Sequence, residues 1–292
     1  VSISIPSPAA PRRYALIMRH FAATRGLEVS VLQASPLLGA FLASRRHHGA
    51  SATSLILLLL GSLALTAHVF AFNDWVGYAT ELRDRRRAAG TSMKREQMGH
   101  LAIALLVLAN VAFAAIGAWA VLLGAGIAAL SLLYSFSPVL GKRTPGAASL
   151  NHLLGGALHF LLGYTIVRGL DWRGAALSLF FGLVFTAGHL NQEVRDHDVD
   201  RANGIGTTAV VFGCRRAFIA SLCLFTAAYL LIVGLAAAGV LPQIMLLSAA
   251  AWLLQARWSL QALRRGPTLE TALWMQRRYR LLFAVVGLAM LL

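Results

Sequence analysis

Four of the eleven carboxylates in this chain fall within one short stretch, Asn191 to Arg201: Glu193, Asp196, Asp198 and Asp200. On a helix Glu193, Asp196 and Asp200 stand at i, i+3 and i+7 and share one face, with Asp198 pointing off it. Crowded carboxylates raise one another's pKa unless cations sit among them. A second acidic stretch, Asn73 to Asp84, repeats the arrangement, with Asp74, Gly77, Glu81 and Asp84 on one helical face. Two acid clusters make chemical sense around a hard divalent cation. Mg²⁺ takes a few carboxylate oxygens and completes its shell with water and substrate phosphates. Lys142, Arg143, Arg195 and Arg201 are the basic residues suited to the outer oxygens of a diphosphate. Acid clusters, metal, basic residues and an apolar slot together suggest ionisation of an allylic diphosphate, with the metal stabilising the departing pyrophosphate.

The elements that must hold these residues are apolar helices. The chain is 58% hydrophobic and only 13% charged, about half the charged fraction of a soluble domain. Apolar runs long enough to cross a bilayer recur throughout, which predicts an all-α polytopic membrane protein and excludes a β-barrel pattern. We read about nine spans: Glu28–Ala43, Thr53–Phe72, Met98–Trp119, Ala120–Phe136, Ala147–Val167, Gly174–Leu190, Arg216–Leu235, Leu241–Leu260 and a last one from Tyr279. Residues 1–13 read as a disordered tail and 14–292 as one transmembrane domain, with an amphipathic lead-in from Tyr14 to Gly26. The two acidic stretches leave spans two and six in the same sense, and each is followed by Gly-Thr (Gly90-Thr91, Gly206-Thr207). That suggests two weakly related four-helix halves plus a last helix.

The formal net charge of +15 would suggest nucleic acid in a soluble protein, but topology explains it better. With the loops after even-numbered spans on one side, all but four of the 26 basic residues fall there, the exceptions being Arg45, Arg46, Arg168 and Arg173. The positive-inside rule makes that side cytoplasmic. The acidic stretches lie on the same side, so the site is expected at the cytoplasmic mouth of a bundle in a membrane, a bacterial inner membrane in our reading. An ion pathway would instead place acids at mid-membrane. Cys214 and Cys223 have no metal or redox spacing and read as packing residues.

The chain resembles the UbiA superfamily of intramembrane prenyltransferases. The second Asp-rich motif of that family, D-x-x-x-D after helix six, is present as Asp196 and Asp200, following Gln192-Glu193 and followed by Gly204, Gly206 and Thr207. The Tyr-Ser…Pro…Lys-Arg segment after helix four is present as Tyr134-Ser135, Pro138 and Lys142-Arg143. The first motif, N-D-x-x-D-x-x-x-D, keeps Asn73 and Asp74 but has Gly77 and Glu81 at its other acid positions, with Asp84 one turn beyond as a candidate replacement. The resemblance spans roughly 25–290. It implies that Asp74, Glu81, Asp196 and Asp200 hold Mg²⁺, with Asp74, Asp196 and Asp200 essential for turnover. It further implies that Arg25, Asn73, Tyr134, Lys142, Arg143, Gln192 and Arg195 bind substrate. The implied reaction moves a prenyl group from a polyprenyl diphosphate to an aromatic or other lipid-soluble acceptor. A terpene cyclase acting on a prenyl diphosphate alone is the rival within the fold, and a non-catalytic lipid-binding or transport protein is the rival outside it; Gly77 is the feature that favours both.

Plainer roles compete for the same residues. Asp74 with Asn73 is also the composition of a helix cap, Glu193 is also an acceptor for Arg195, and Lys142 and Arg143 are also ordinary topology charges. His68, His159 and His189 sit in or at the ends of apolar helices and read as packed core residues.

Overall fold

A computed structural model describes residues 26–45, 49–81 and 93–292, and among them every regular element is a helix. Numbered in chain order these are α1 (Gly26–Leu32), α2 (Ala34–Ser44), α3 (Ala52–Glu81), α4 (Arg95–Ile116), α5 (Ala118–Phe136), α6 (Ala147–Tyr164), α7 (Trp172–Ala202), α8 (Thr208–Phe212), α9 (Cys214–Ala237), α10 (Ser248–Arg265) and α11 (Leu269–Ala289). A 3₁₀ turn, Gln243–Leu247, leads into α10. Five helices, α3, α4, α5, α7 and α9, are long and apolar enough to cross a membrane, and shorter apolar helices fill the bundle between them. The outward faces are apolar: Ile103, Val107 and Val111 on α4, Leu230 on α9 and Leu281 on α11 are all exposed. Stripes of this kind need lipid around them, as an integral membrane protein requires.

Helix length places the acidic residues. At 1.5 Å per residue α3 and α7 each run about 45 Å, longer than a hydrocarbon core of about 30 Å. Asp74 comes 22 residues after Ala52, and Asp196 comes 24 residues after Trp172. Both therefore sit about 33–36 Å along their helices, just past the point where an apolar core ends. The helices carry the acids out of the membrane instead of handing them to loops. Span six, expected to end at Leu190, continues as helix to Ala202, and Asp74 lies within α3 and does not cap it.

Packing is tight where residues are small. Phe113 of α4, almost fully buried, lies between Gly61 of α3 and Gly124 of α5, where an added Cβ would meet its ring at 2.6 Å in both cases. Gly117, at φ +146°, breaks the chain between α4 and α5 in a backbone conformation that glycine tolerates. Between α2 and α6 the backbones themselves touch. A Cβ on Gly163 would run into the Pro36 carbonyl, and one on Gly39 into the Phe160 carbonyl. Small residues permitting close approach are how helices associate in lipid, where water gives no hydrophobic drive between them.

Other elements depart from the sequence reading as well, the eighth span among them, whose α-helix runs over Ser248–Arg265 and not Leu241–Leu260. The first span is not continuous, because α1 ends at Leu32 and α2 begins at Ala34. Pro36 has no N–H to offer the Leu32 carbonyl and its ring crowds the preceding turn. The last helix begins at Leu269, ten residues before Tyr279. Thr268 caps it through the Thr271 amide at 3.4 Å, and Ala272, Met275, Gln276, Tyr279, Leu282 and Val286 form one buried stripe at helical spacing. Its arginines do not break it, because Arg278 stacks on Trp274 at 3.8 Å from the ring centroid.

Gly163→Val is expected to destabilise the protein by roughly 1–3 kcal/mol through overpacking against Pro36. Thermal unfolding in detergent measures it, and an unchanged midpoint would show that α2 and α6 do not meet as described.

Candidate diphosphate site

The site is assembled where three segments meet: the end of α3, the turn 137–146 between α5 and α6, and the end of α7 with the loop that follows. The acid-bearing helices have different neighbours. α3 packs on α4 and α5, and α7 packs on α6, α9 and α11. The 137–146 turn bridges them. Lys142 donates from Nζ to Asn73 Oδ1 at 3.4 Å, and its own backbone N–H bonds the Tyr134 carbonyl at 2.9 Å. On the other flank Gly206 approaches Arg143 so closely that an added Cβ would stand 3.1 Å from the Arg143 carbonyl. The turn folds back this sharply because residue 141 is glycine. A Cβ there would collide with the Ser137 carbonyl and lie 2.9 Å from that of Tyr134.

The acids differ in their surroundings. Asp74 is buried, and Gly77, one turn on, is buried as well. Asp196 is half-buried and held by Arg195, whose Nε and Nη2 donate to its two carboxylate oxygens at 2.9 and 2.6 Å. Such a two-point contact is the strong form of a charge-assisted hydrogen bond. Asp200 is half-buried one turn later, and its carbonyl takes the Ile205 N–H at 2.8 Å, turning the chain back toward Arg143. Gln192 is half-buried on the same segment of α7. Asp198 is exposed, paired at 2.9 Å with His197, as its position off the shared face implies.

Glu193 does not join this group. It is 3% exposed, and its Oε2 accepts the Ala209 N–H in the first turn of α8 at 3.2 Å. His189 Nε2 lies 2.9 Å from its Oε1 but out of line for a hydrogen bond. Glu193 therefore fastens the α7–α8 turn from beneath, while Arg195 turns to Asp196. The expectation of three acids acting together reduces to Asp196 and Asp200.

Below the acids lies a row of rings that sequence reasoning only half found. His189 stacks on His152 of α6, with ring centroids 3.7 Å apart and planes at 9°. Tyr134 meets His152 edge-on at 5.3 Å. Tyr134 is thus tied to the site by its carbonyl, which anchors Lys142, and by its ring, which meets the histidines. His152 was missed because a lone histidine in an apolar helix carries no spacing signal; only the fold brings it under His189. Glu81 ends α3, but its side chain lies outside the described residues, as do Arg25 and Asp84.

Asn73, Asp74, Asp196 and Asp200 offer only oxygen donors, the kind a hard cation such as Mg²⁺ takes. Among the described residues no group of three or more His, Cys, Asp or Glu side chains is gathered closely enough to hold a metal by itself. The donor set therefore fits a cation that also needs ligands from elsewhere.

The UbiA prenyltransferase family model matches residues 34–284, and the chain belongs to that family. Among solved structures it is similar to a UbiA homolog from Archaeoglobus fulgidus bound to GPP and Mg²⁺, with TM-score 0.71 and 19% identity over 94% of this chain and 99% of that one. It is similar also to a digeranylgeranylglyceryl phosphate synthase, with TM-score 0.70 and 16% identity over 94% and 97% of the two chains. A UbiA homolog from Aeropyrum pernix K1 in its apo form gives TM-score 0.67 and 18% identity over 89% and 96%. Identities this low establish a shared fold. No curated protein sequence matches significantly.

Gly141→Ala is expected to push the 137–146 turn outward and break the Lys142 amide bond to Tyr134. Hydrogen exchange at the Lys142 amide should quicken by about tenfold or more, as a locally opened bond does. Unaltered protection would contradict the bridging role of the turn.

Proposed function

We propose that the protein is a Mg²⁺-dependent prenyltransferase that takes its prenyl group from a polyprenyl diphosphate and delivers it to a lipid-soluble acceptor. The family match supports a prenyl donor, and the observation that carries the site assignment is the bridge from Asn73 through Lys142 and Arg143 to the loop behind Asp200. One bound diphosphate would span that bridge. Asn73 and Asp74 would hold Mg²⁺ on one side, with Glu81 as a further ligand, and Asp196 and Asp200 would hold it on the other. When bound, Mg²⁺ supplies positive charge to the departing pyrophosphate. Lys142 and Arg143 contact the outer oxygens, and Arg25 is assigned the same work. Gln192 donates an amide hydrogen bond.

Arg195 has the most specific task. In the structure it grips Asp196 with two hydrogen bonds. Substrate binding requires it to exchange that carboxylate for diphosphate oxygens, freeing Asp196 for its proposed ligand role. The allylic C–O bond then breaks heterolytically, pyrophosphate leaves with the electron pair, and the acceptor's nucleophilic atom bonds to the allylic carbon and gives up its proton to the departing pyrophosphate or to water at the mouth. Tyr134, set above the stacked histidines, presents an aromatic face to which an allylic cation would be drawn. The polar end of this site lies at the water-facing mouth, on the side that charge bias makes cytoplasmic, and the tail lies among the helices.

A second reading rests on Gly77. Buried one turn beyond Asp74, it leaves the first motif a carboxylate short, and a cyclase with altered metal demand would be built on that difference. The two readings separate by products. Purified protein with Mg²⁺ and geranyl, farnesyl or geranylgeranyl diphosphate should form a new prenylated species only when membrane lipid extract is added; pyrophosphate and a cyclic hydrocarbon formed without extract would establish the cyclase instead. Asp196→Asn and Asp74→Asn should each lower turnover on the order of 100-fold with thermal stability retained, and EDTA should do the same. Full activity in both variants would remove the metal assignment.

A further inference from the structure

A cavity of about 280 Å³ opens at the opposite end of the bundle from the acids, between the end of α2, the turn from α6 into α7, and the turn after α9. α7 sets the separation: Arg173 stands at its start and Asp196 is 23 residues further on, about 35 Å along the axis. Three arginines line the cavity, Arg45, Arg168 and Arg173, and none of the lining residues is acidic. These are three of the four basic residues that fall on the charge-poor side of the chain; the fourth, Arg46, lies outside the described residues. Topology gives no reason for arginines on that side, so their convergence on one cavity calls for another.

Their charges are unequally satisfied. Arg168 is paired with Asp171 at 2.7 Å. Burial works against charge on Asp171, but the Gly174 amide, the Tyr164 hydroxyl and the Arg168 guanidinium hold its carboxyl below the ordinary range. That carboxylate is thus committed to Arg168 and to capping α7. Arg45 donates to main-chain oxygens of Met290 and Leu292 at 3.4 and 2.8 Å. Arg173 lies over the Trp172 ring at 5.3 Å, and its Nε is buried without a hydrogen-bond acceptor among the described residues. A buried donor on a charged group is costly to leave unmet. A cavity lined by three arginines and no acid, with one buried guanidinium donor unmet, describes a receptor for an anion with several oxygens.

We propose that this cavity binds a phosphate group, and that the phosphate is the headgroup of an anionic lipid. Guanidinium groups match phosphate oxygens in pairs. Apart from Tyr164 the remaining side chains of the wall are apolar, Leu42, Leu177 and Leu241 among them, which a free anion does not need and a lipid's glycerol and upper chains do. The place also suits a lipid, since α7, apolar and long enough to cross a membrane, begins one residue before Arg173. The bound lipid would tie α2, α7 and the α9–α10 turn together at the end remote from the chemistry.

The test uses the full chain in phosphatidylcholine nanodiscs containing a phosphatidylglycerol with a photoreactive headgroup. Labelled peptides are mapped by mass spectrometry. Label is expected on 168–173 or 239–242, and its yield there should fall about tenfold in Arg45→Gln/Arg173→Gln but not in Arg264→Gln at the other end. Millimolar inorganic phosphate separates the sources: label that persists identifies the lipid headgroup, and label that is suppressed identifies a site for the bare anion. Wild-type protein labelled only elsewhere overturns the proposal whether or not the variants fold, and so does undiminished label in a folded double variant.

Discussion

An acid in a protein surrounded by lipid is tolerable only where water, a cation or a hydrogen-bond donor meets it. That constraint governs this fold. α3 and α7 are long enough to lift Asp74 and Asp196 beyond the hydrocarbon, and two acids of α7 are met locally: Asp196 by Arg195 and Glu193 by the Ala209 amide. The 137–146 turn brings Lys142 and Arg143 to the place where the acids emerge. The glycine at 141 matters because it allows a cation to reach across to Asn73 from an element belonging to neither acid-bearing helix.

The two ends of the bundle solve opposite problems. At one end acids accumulate and cations are drawn in. At the other, three arginines line one cavity whose lining holds no acid, and Asp171 pairs with Arg168 alone of the three. α7 connects them, capped by Asp171 at its start and carrying Asp196 and Asp200 in its last two turns. Close contacts at glycines, such as Gly163 on the Pro36 backbone and the Phe113 ring between Gly61 and Gly124, hold the helices between these ends in register.

Much of this was legible in the residues. Apolar runs, the paired Asp196 and Asp200 and the Tyr134…Lys142-Arg143 segment pointed to the family that the chain does belong to. Other parts were not legible, for physical reasons. Hydropathy marks where a helix is apolar and not where it ends, so the apolar run to Leu190 did not by itself give the end of α7 at Ala202, nor Tyr279 the start of α11 at Leu269. Face-sharing put Glu193 beside Asp196, but the local tertiary partners, Ala209 and His189, claimed it for packing. His152 and the arginine-lined cavity depend on segments distant in sequence, which no periodicity reveals.

The central claim is that Asp74 and Asp196, carried by differently packed helices, act on one diphosphate. A double-mutant cycle with Asp74→Asn and Asp196→Asn, reading Mg²⁺-dependent binding of an unreactive thiolo-diphosphate analogue by calorimetry, tests it directly. Groups that hold one ligand together couple by roughly 0.5–3 kcal/mol, so the double variant should bind little worse than the weaker single one. Losses that add in full would mean two independent sites and would contradict the account.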